Sequence, residues 1–252
     1  MKKQLLLILM SILTFPFFRD HANAQGYIAA STYIGGTAQE QNPRMVVSNG
    51  ESYIIGNTTS SNFPVTTGPG YVGGAQGDFV VTKLDANGTI VWSRYIGGSD
   101  NEYPNAIKVS GGSVLIVGST TSTNYPVTNG SVQTGGTGMI NSIFTMLNAT
   151  TGAMQYSSYM GQGSMTDVVI SGGYAYLYGS KNLGAPLNLQ IRIAKFDIVT
   201  STFIFDQTYG GNGNDYTSSL TFSSSCLQVV DDEIFLTGGS TSSNFPVTNG
   251  SS

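Results

Sequence analysis

Histidine and cysteine are almost absent from the 252-residue chain, which carries one of each, His21 and Cys226. Charge is also scarce: 10 Lys or Arg and 14 Asp or Glu make up 10% of the residues, against roughly 25% in an average globular domain. Each scarcity removes a class of chemistry. A lone Cys cannot form an internal disulfide, and Cys226, just ahead of Leu227-Gln228-Val229-Val230, reads as a small apolar residue rather than a reactive thiol. A net charge of −4 with so few Lys and Arg offers no electrostatic footprint for a phosphate backbone, so no nucleic-acid partner is expected. After residue 18 no apolar run approaches the roughly 20 residues needed to cross a bilayer as a helix.

What is abundant is Gly (33), Tyr (14) and Phe (12), with many Ser, Thr and Asn. These favour strands and turns over helices and predict an all-β, turn-rich chain. At the N-terminus Lys2 and Lys3 precede the apolar stretch Leu5 to Phe18, and Ala22-Asn23-Ala24 then precedes Gln25. That order of charged, apolar and small-x-small segments predicts a secretory signal peptide over residues 1–24. Cleavage after Ala24 would leave 252 − 24 = 228 residues, with 10 − 3 = 7 basic and 14 − 1 = 13 acidic side chains and no His. Without His, Ser-His-Asp and Cys-His nucleophile systems and His-containing metal sites cannot be built. No cofactor and no metal site is expected, and the product is expected to be secreted or held at the cell surface.

The chain repeats itself. Gly56 to Thr66 (GNTTSSNFPVT) recurs as Gly118 to Thr128 (GSTTSTNYPVT) and Gly238 to Thr248 (GGSTSSNFPVT), with a degraded copy at Gly179 to Leu187. The prolines fall at 64, 126, 186 and 246, so they are 62, 60 and 60 residues apart. A second marker runs in phase: Tyr33-Ile34-Gly35-Gly36, Tyr95-Ile96-Gly97-Gly98, Tyr159-Met160-Gly161-Gln162 and Tyr209-Gly210-Gly211. Between markers lie strand-sized apolar runs separated by Gly, Asn and Asp turns, among them Asn49-Gly50, whose two residues both accept positive φ. A four-stranded antiparallel meander repeated about every sixty residues predicts propeller blades, since solenoid coils are shorter and sandwich domains longer.

The Tyr-Ile-Gly-Gly marker, the Gly-x-Thr-x-Ser-x-Asn-Phe/Tyr-Pro-Val-Thr segment and the strand Asp78 to Gly88 (DFVVTKLDANG) resemble the SBBP family of β-propeller repeats. The resemblance covers nearly all of residues 26 to 252, and is weakest in the third unit, where Ala185-Pro186 replaces Phe-Pro. It implies a bacterial exported or surface protein with no assigned catalytic residues. The expected order is a lone outer strand at 27–36, blades at 37–98, 99–162 and 163–211, and a partial blade at 212–252. That is about 3.5 repeats, fewer than the four to eight blades of closed propellers. The expectation is an incomplete ring, with open edges through which copies of the chain could pair.

Two sets of positions stand out within the repeat. Glu40, Glu102 and Asp215 each sit four residues after the second Gly of the marker, with Thr166 at that count in the third unit. A residue recurring in every unit reads as structural, accepting backbone N–H groups in a loop, rather than catalytic. The pairs Phe63-Pro64, Tyr125-Pro126 and Phe245-Pro246 form the candidate contact surface, as aromatics beside hydroxyls and amides suit glycan or protein recognition. The other reading, which recurrence in phase favours, is that the rings are interior plugs with Pro fixing the loop. Asp85-Ala86-Asn87-Gly88 and Asp231-Asp232-Glu233 read as turns rather than calcium loops, as neither has a distal bidentate Glu. Five Asn-x-Ser/Thr sequons, at 57, 87, 129, 148 and 249, follow from the composition.

The expected function is a non-catalytic exported binding or scaffolding module for surface protein or glycan. The alternative is a carboxylate-based propeller enzyme, glycosidase- or lyase-like, for which the third unit supplies the unique charges Lys181, Arg192, Lys195 and Asp197.

Overall fold

The computed structural model describes residues 32–74, 77–128, 130–133, 135–137, 139–184, 188–216 and 226–246. The signal segment 1–24, residues 27–31 of the first expected strand, Ala185-Pro186 and the stretch from Val247 onward lie outside the described residues. Among the described residues the fold is all-β and antiparallel, and no helix is long and apolar enough to cross a membrane.

The first unit is a four-stranded sheet of β1 (Glu40–Ser48), β2 (Glu51–Thr58), β3 (Asp78–Leu84) and β4 (Ile90–Ile96), in sequence order. Asn49 (φ 52) and Gly50 (φ 78) turn β1 into β2 with both residues left-handed, the backbone of a tight two-residue hairpin. Seven strands form the next sheet: β5 (Glu102–Ser110), β6 (Ser113–Thr120), β7 (Asn141–Asn148), β8 (Met154–Ser171), β9 (Tyr174–Asn182), β10 (Leu189–Asp197) and β11 (Thr202–Tyr209). β8 is long enough to serve two units. It pairs with β7 as far as Gln162, then with β9 from Gly163 onward. The expected loop after the third marker is therefore absent, and the chain passes from one unit to the next as a continuous strand. The fourth unit holds two short pairs, β12 (Asp215–Tyr216) with β15 (Gly239–Ser240), and β13 (Leu227–Val230) with β14 (Glu233–Leu236).

Strand alternation lets each unit bury both faces. Tyr53, Ile55, Phe79, Val81 and Trp92 of the first unit meet Ile107, Val114, Ile116, Ile143 and Leu147 of the second in one cluster. The opposite face of the second unit, with Leu115, Val117, Phe144 and Met146, meets Ala175, Leu177, Ala194 and Phe196 of the third. Tyr176, Tyr178, Ile191 and Ile193 then meet Leu227, Val229, Ile234 and Leu236 of the fourth. Each such side chain contributes about 1.5–3 kcal/mol on burial, so the contacts between units hold the chain together as firmly as the hydrogen bonds within them. One turn seats the stacking: Trp92 Nε1 donates to Ala149 O at 3.1 Å in the β7–β8 turn of the next unit, where a Cβ on Gly152 would strike the indole.

Candidate functional site

One hydrogen-bonded node recurs at the same end of three units. In the first, Glu40 Oε1 accepts from Gly36 N (3.0 Å), Thr58 Oγ1 (3.1 Å) and Ser60 Oγ (2.8 Å). In the second, Glu102 Oε1 accepts from Gly98 N (3.2 Å), Thr120 Oγ1 (2.9 Å) and Ser122 Oγ (2.7 Å). In the fourth, Asp215 accepts from Gly211 N (2.7 Å), Ser242 Oγ (2.7 Å) and Ser240 Oγ. Burial works against ionisation of Asp215, but these donors and Gln190 outweigh it and hold its carboxyl below the usual range. The acid thus buttons the Gly-Gly turn onto the Ser/Thr loop twenty or more residues later in the chain.

Strand register identifies the residue that stands in for the acid in the third unit. Glu40 pairs with Thr58, Glu102 with Thr120 and Asp215 with Ser240, and Gly163 pairs with Lys181. The counterpart is therefore Gly163 and not Thr166. Counting from the marker overshoots by three residues because the chain makes no loop there.

The marker tyrosine supplies a second tie. Tyr95 Oη accepts from Phe63 N (2.9 Å) and donates to Ser60 O (2.6 Å), and Tyr159 Oη accepts from Tyr125 N (2.6 Å) and donates to Ser122 O (2.8 Å). These ties draw the loop aromatics inward, so Phe63 and Tyr125 are buried in the core, at 6% and 2% exposure. Of the two readings, the interior plug is the one these rings fill, each packed edge-on against Tyr95 or Tyr159. Phe245 is half-buried against the fourth cluster, Pro126 is half-buried, and Pro64 and Pro246 are exposed. Exposed in their place are Ser61 and Asn62, Thr123 and Asn124, and Ser243 and Asn244. Asn62, Asn124 and Asn244 accept equivalently from Thr37 N, Ser99 N and Asn212 N, at 3.0, 2.8 and 2.7 Å.

Away from these loops, one strand from each of the four units lines a cleft of ≈ 450 Å³. Val46 comes from β1, Lys108 and Val109 from β5, Val168 to Ile170 from β8 and Leu227 to Val230 from β13. Lys108 lies 3.7 Å from Asp167. The unique charges of the third unit do not gather there. Arg192 is buried toward the second unit, where Nε donates to Asp206 Oδ1 at 2.7 Å and the remaining nitrogens reach Asp206 Oδ2 and Met160 O. Lys195 points to the other face, pairing with Asp232 at 2.8 Å beneath the rings of Tyr174 and Tyr176. Asp197 caps its own turn through Val199 N and Thr200 N, as Asp85 does through Asn87 N and Thr89 N. Among the described residues no group of three or more His, Cys, Asp or Glu is placed to hold a metal. Cys226 is half-buried, its N–H donating to Tyr178 Oη at 2.9 Å.

Sequence reasoning missed the roles of Tyr95 and Tyr159, although their recurrence in the marker was the available signal. It also missed Asp78 and Gln190, which begin corresponding strands with different residue types and so carry no repeat signature. No protein-family model matches the chain, and no curated protein matches it.

Proposed function

We propose that the chain is an exported β-propeller repeat module of the SBBP type that binds a surface protein or glycan without catalysing a reaction. The propeller reading is supported by the burial of each unit on the next and by the cleft that takes one strand from each of the four units. In a propeller the innermost strand of every blade lines the central channel. The signal segment supports export.

The observation that carries the binding reading is the set of three node-held loops. Each shows an exposed hydroxyl and an exposed Asn in the same position relative to its unit, on a framework fixed by the same hydrogen bonds. Preorganised polar groups in a periodic row suit a ligand that is itself periodic or extended, because little ordering entropy remains to be lost on binding.

The test is an array of purified surface polysaccharides and extracellular-matrix proteins probed with the full chain and with a Ser61→Lys/Thr123→Lys variant. Both positions are exposed, so the variant should keep its melting temperature while losing at least about tenfold in binding, roughly 1.4 kcal/mol. Binding no stronger than to serum albumin, or undiminished in the variant, would contradict the proposal.

A further inference from the structure

At the joint between the third and fourth units, Gln190 reaches Asp215, its Nε2 lying 3.5 Å from Oδ2. Gly210, from the marker, packs so tightly on this pair that a Cβ would strike both side chains. The same position between the first and second units is taken by Asp78 and Glu102. Asp78 stands opposite Thr58 as Gln190 stands opposite Lys181, Glu102 is the counterpart of Asp215, and Gly97 packs on the Asp78 carboxyl as Gly210 packs on Gln190. An amide that can donate to a carboxylate is thus replaced by a second carboxyl group.

Both acids are fully buried. Asp78 Oδ2 accepts from Val72 N at 2.8 Å, and Glu102 Oε1 takes the three donors of its node. Among the described residues, Asp78 Oδ1 and Glu102 Oε2 have no hydrogen-bond partner. None of the four ion pairs among the described residues includes either acid. The titratable groups facing Asp78 are Tyr71 and Tyr95, those facing Glu102 are Tyr71, Tyr125 and Tyr159, and Arg94 faces Tyr125. Two carboxyl groups buried within electrostatic reach of each other, with no cation paired to either among the described residues, cannot both ionise cheaply.

We propose that Asp78 and Glu102 hold one proton between them, the protonated carboxyl taking the donor role that the Gln190 amide fills toward Asp215, so that the joint between the first two units is tighter in mild acid than in alkali. Burial, and then the charge of Asp78, push the Glu102 carboxyl up to about 7, and burial also raises Asp78. An unfolded Glu releases its proton near about 4.3. The folded value is the higher one, so the stabilisation is full below about pH 4 and is lost as pH rises through about 7.

The test compares urea midpoints of the full chain from pH 5 to pH 8 with and without EDTA, beside Asp78→Asn and Glu102→Gln. The wild-type midpoint should fall across this range and ignore the chelator. Asp78→Asn, which supplies an amide donor and leaves a single carboxylate, should shrink the fall, since burial alone still raises Glu102, and give a higher midpoint than wild type at pH 8. In ¹³C-carboxyl NMR the Glu102 transition near 7 should move to lower pH in that variant. If Asp78→Asn does not fold, Glu102→Gln must abolish the fall. A fall undiminished in Asp78→Asn or retained in Glu102→Gln, or a wild-type midpoint that drops on adding EDTA, would overturn the shared proton, the last by assigning the two oxygens to a bound cation.

Discussion

Phe144→Ala is expected to cost about 3–5 kcal/mol of unfolding free energy, one of the two largest losses from a single substitution here. Phe144 is fully buried, and its ring lies 4.8 Å from Phe196, 5.9 Å from Tyr156 and 6.1 Å from Phe203. It therefore joins β7 and β8 of the second unit to β10 and β11 of the third, and the cavity left by its loss would open between sheets that share only β8. Phe144→Leu keeps most of the volume and should cost far less, while Val199→Ala, at 88% exposure, should stay within about 0.5 kcal/mol of wild type. Urea unfolding of the three variants checks the order. A Phe144→Ala loss below about 1 kcal/mol would place the ring outside a packed core.

The second large effect is expected at Asp206. Its carboxylate is the only acidic partner of Arg192 among the described ion pairs, and the Arg192 side chain is 2% exposed against 29% for Asp206. Asp206→Ala leaves a buried guanidinium with a backbone carbonyl as its remaining acceptor, a change that costs about 3–5 kcal/mol when the stranded charge stays dry. Partial exposure of the Asp206 site admits water and puts the expected loss at the lower end of that range. Removing both charges together, as Arg192→Met/Asp206→Leu, should recover most of the loss, because desolvating the pair consumes much of what its attraction returns. A double variant no more stable than Asp206→Ala would show that the ion pair itself, rather than the stranded charge, sets the cost.

Much of the strand pattern was readable beforehand because it rests on local chemistry. Asp78–Leu84 is a strand bounded by turn residues on both sides, and Asn49-Gly50 turns the chain where two left-handed residues are needed. The node was half-readable. The acids recur at a fixed count from the marker, but their hydroxyl donors lie 18 to 27 residues further on, and only strand register brings the two together. Counting failed at Thr166 because β8 runs through the boundary without a loop, a choice made by pairing to β7 and β9 rather than by the residues of the marker. Recurrence in phase favoured interior plugs for the loop aromatics but not the means: a tyrosine oxygen from another strand holds the backbone N–H and carries the ring inward. The Asp78 and Glu102 pair left no trace in the sequence, since their juxtaposition depends on how consecutive units stack.

That stacking is the central claim, and thiol cross-linking across the cleft tests it most directly. In a Cys226→Ser background, Val46→Cys on β1 of the first unit is combined with Val229→Cys on β13 of the fourth, two positions that line the same cleft. A bifunctional maleimide with a flexible spacer should join the two thiols within one chain under native conditions and not in urea. A Val46→Cys/Val109→Cys pair, from adjacent units packed on one cluster, serves as the positive control. Cross-linking of both pairs is the expected result. Cross-linking of the control alone would mean that the units follow one another without curving around a shared centre, and the propeller reading would fall.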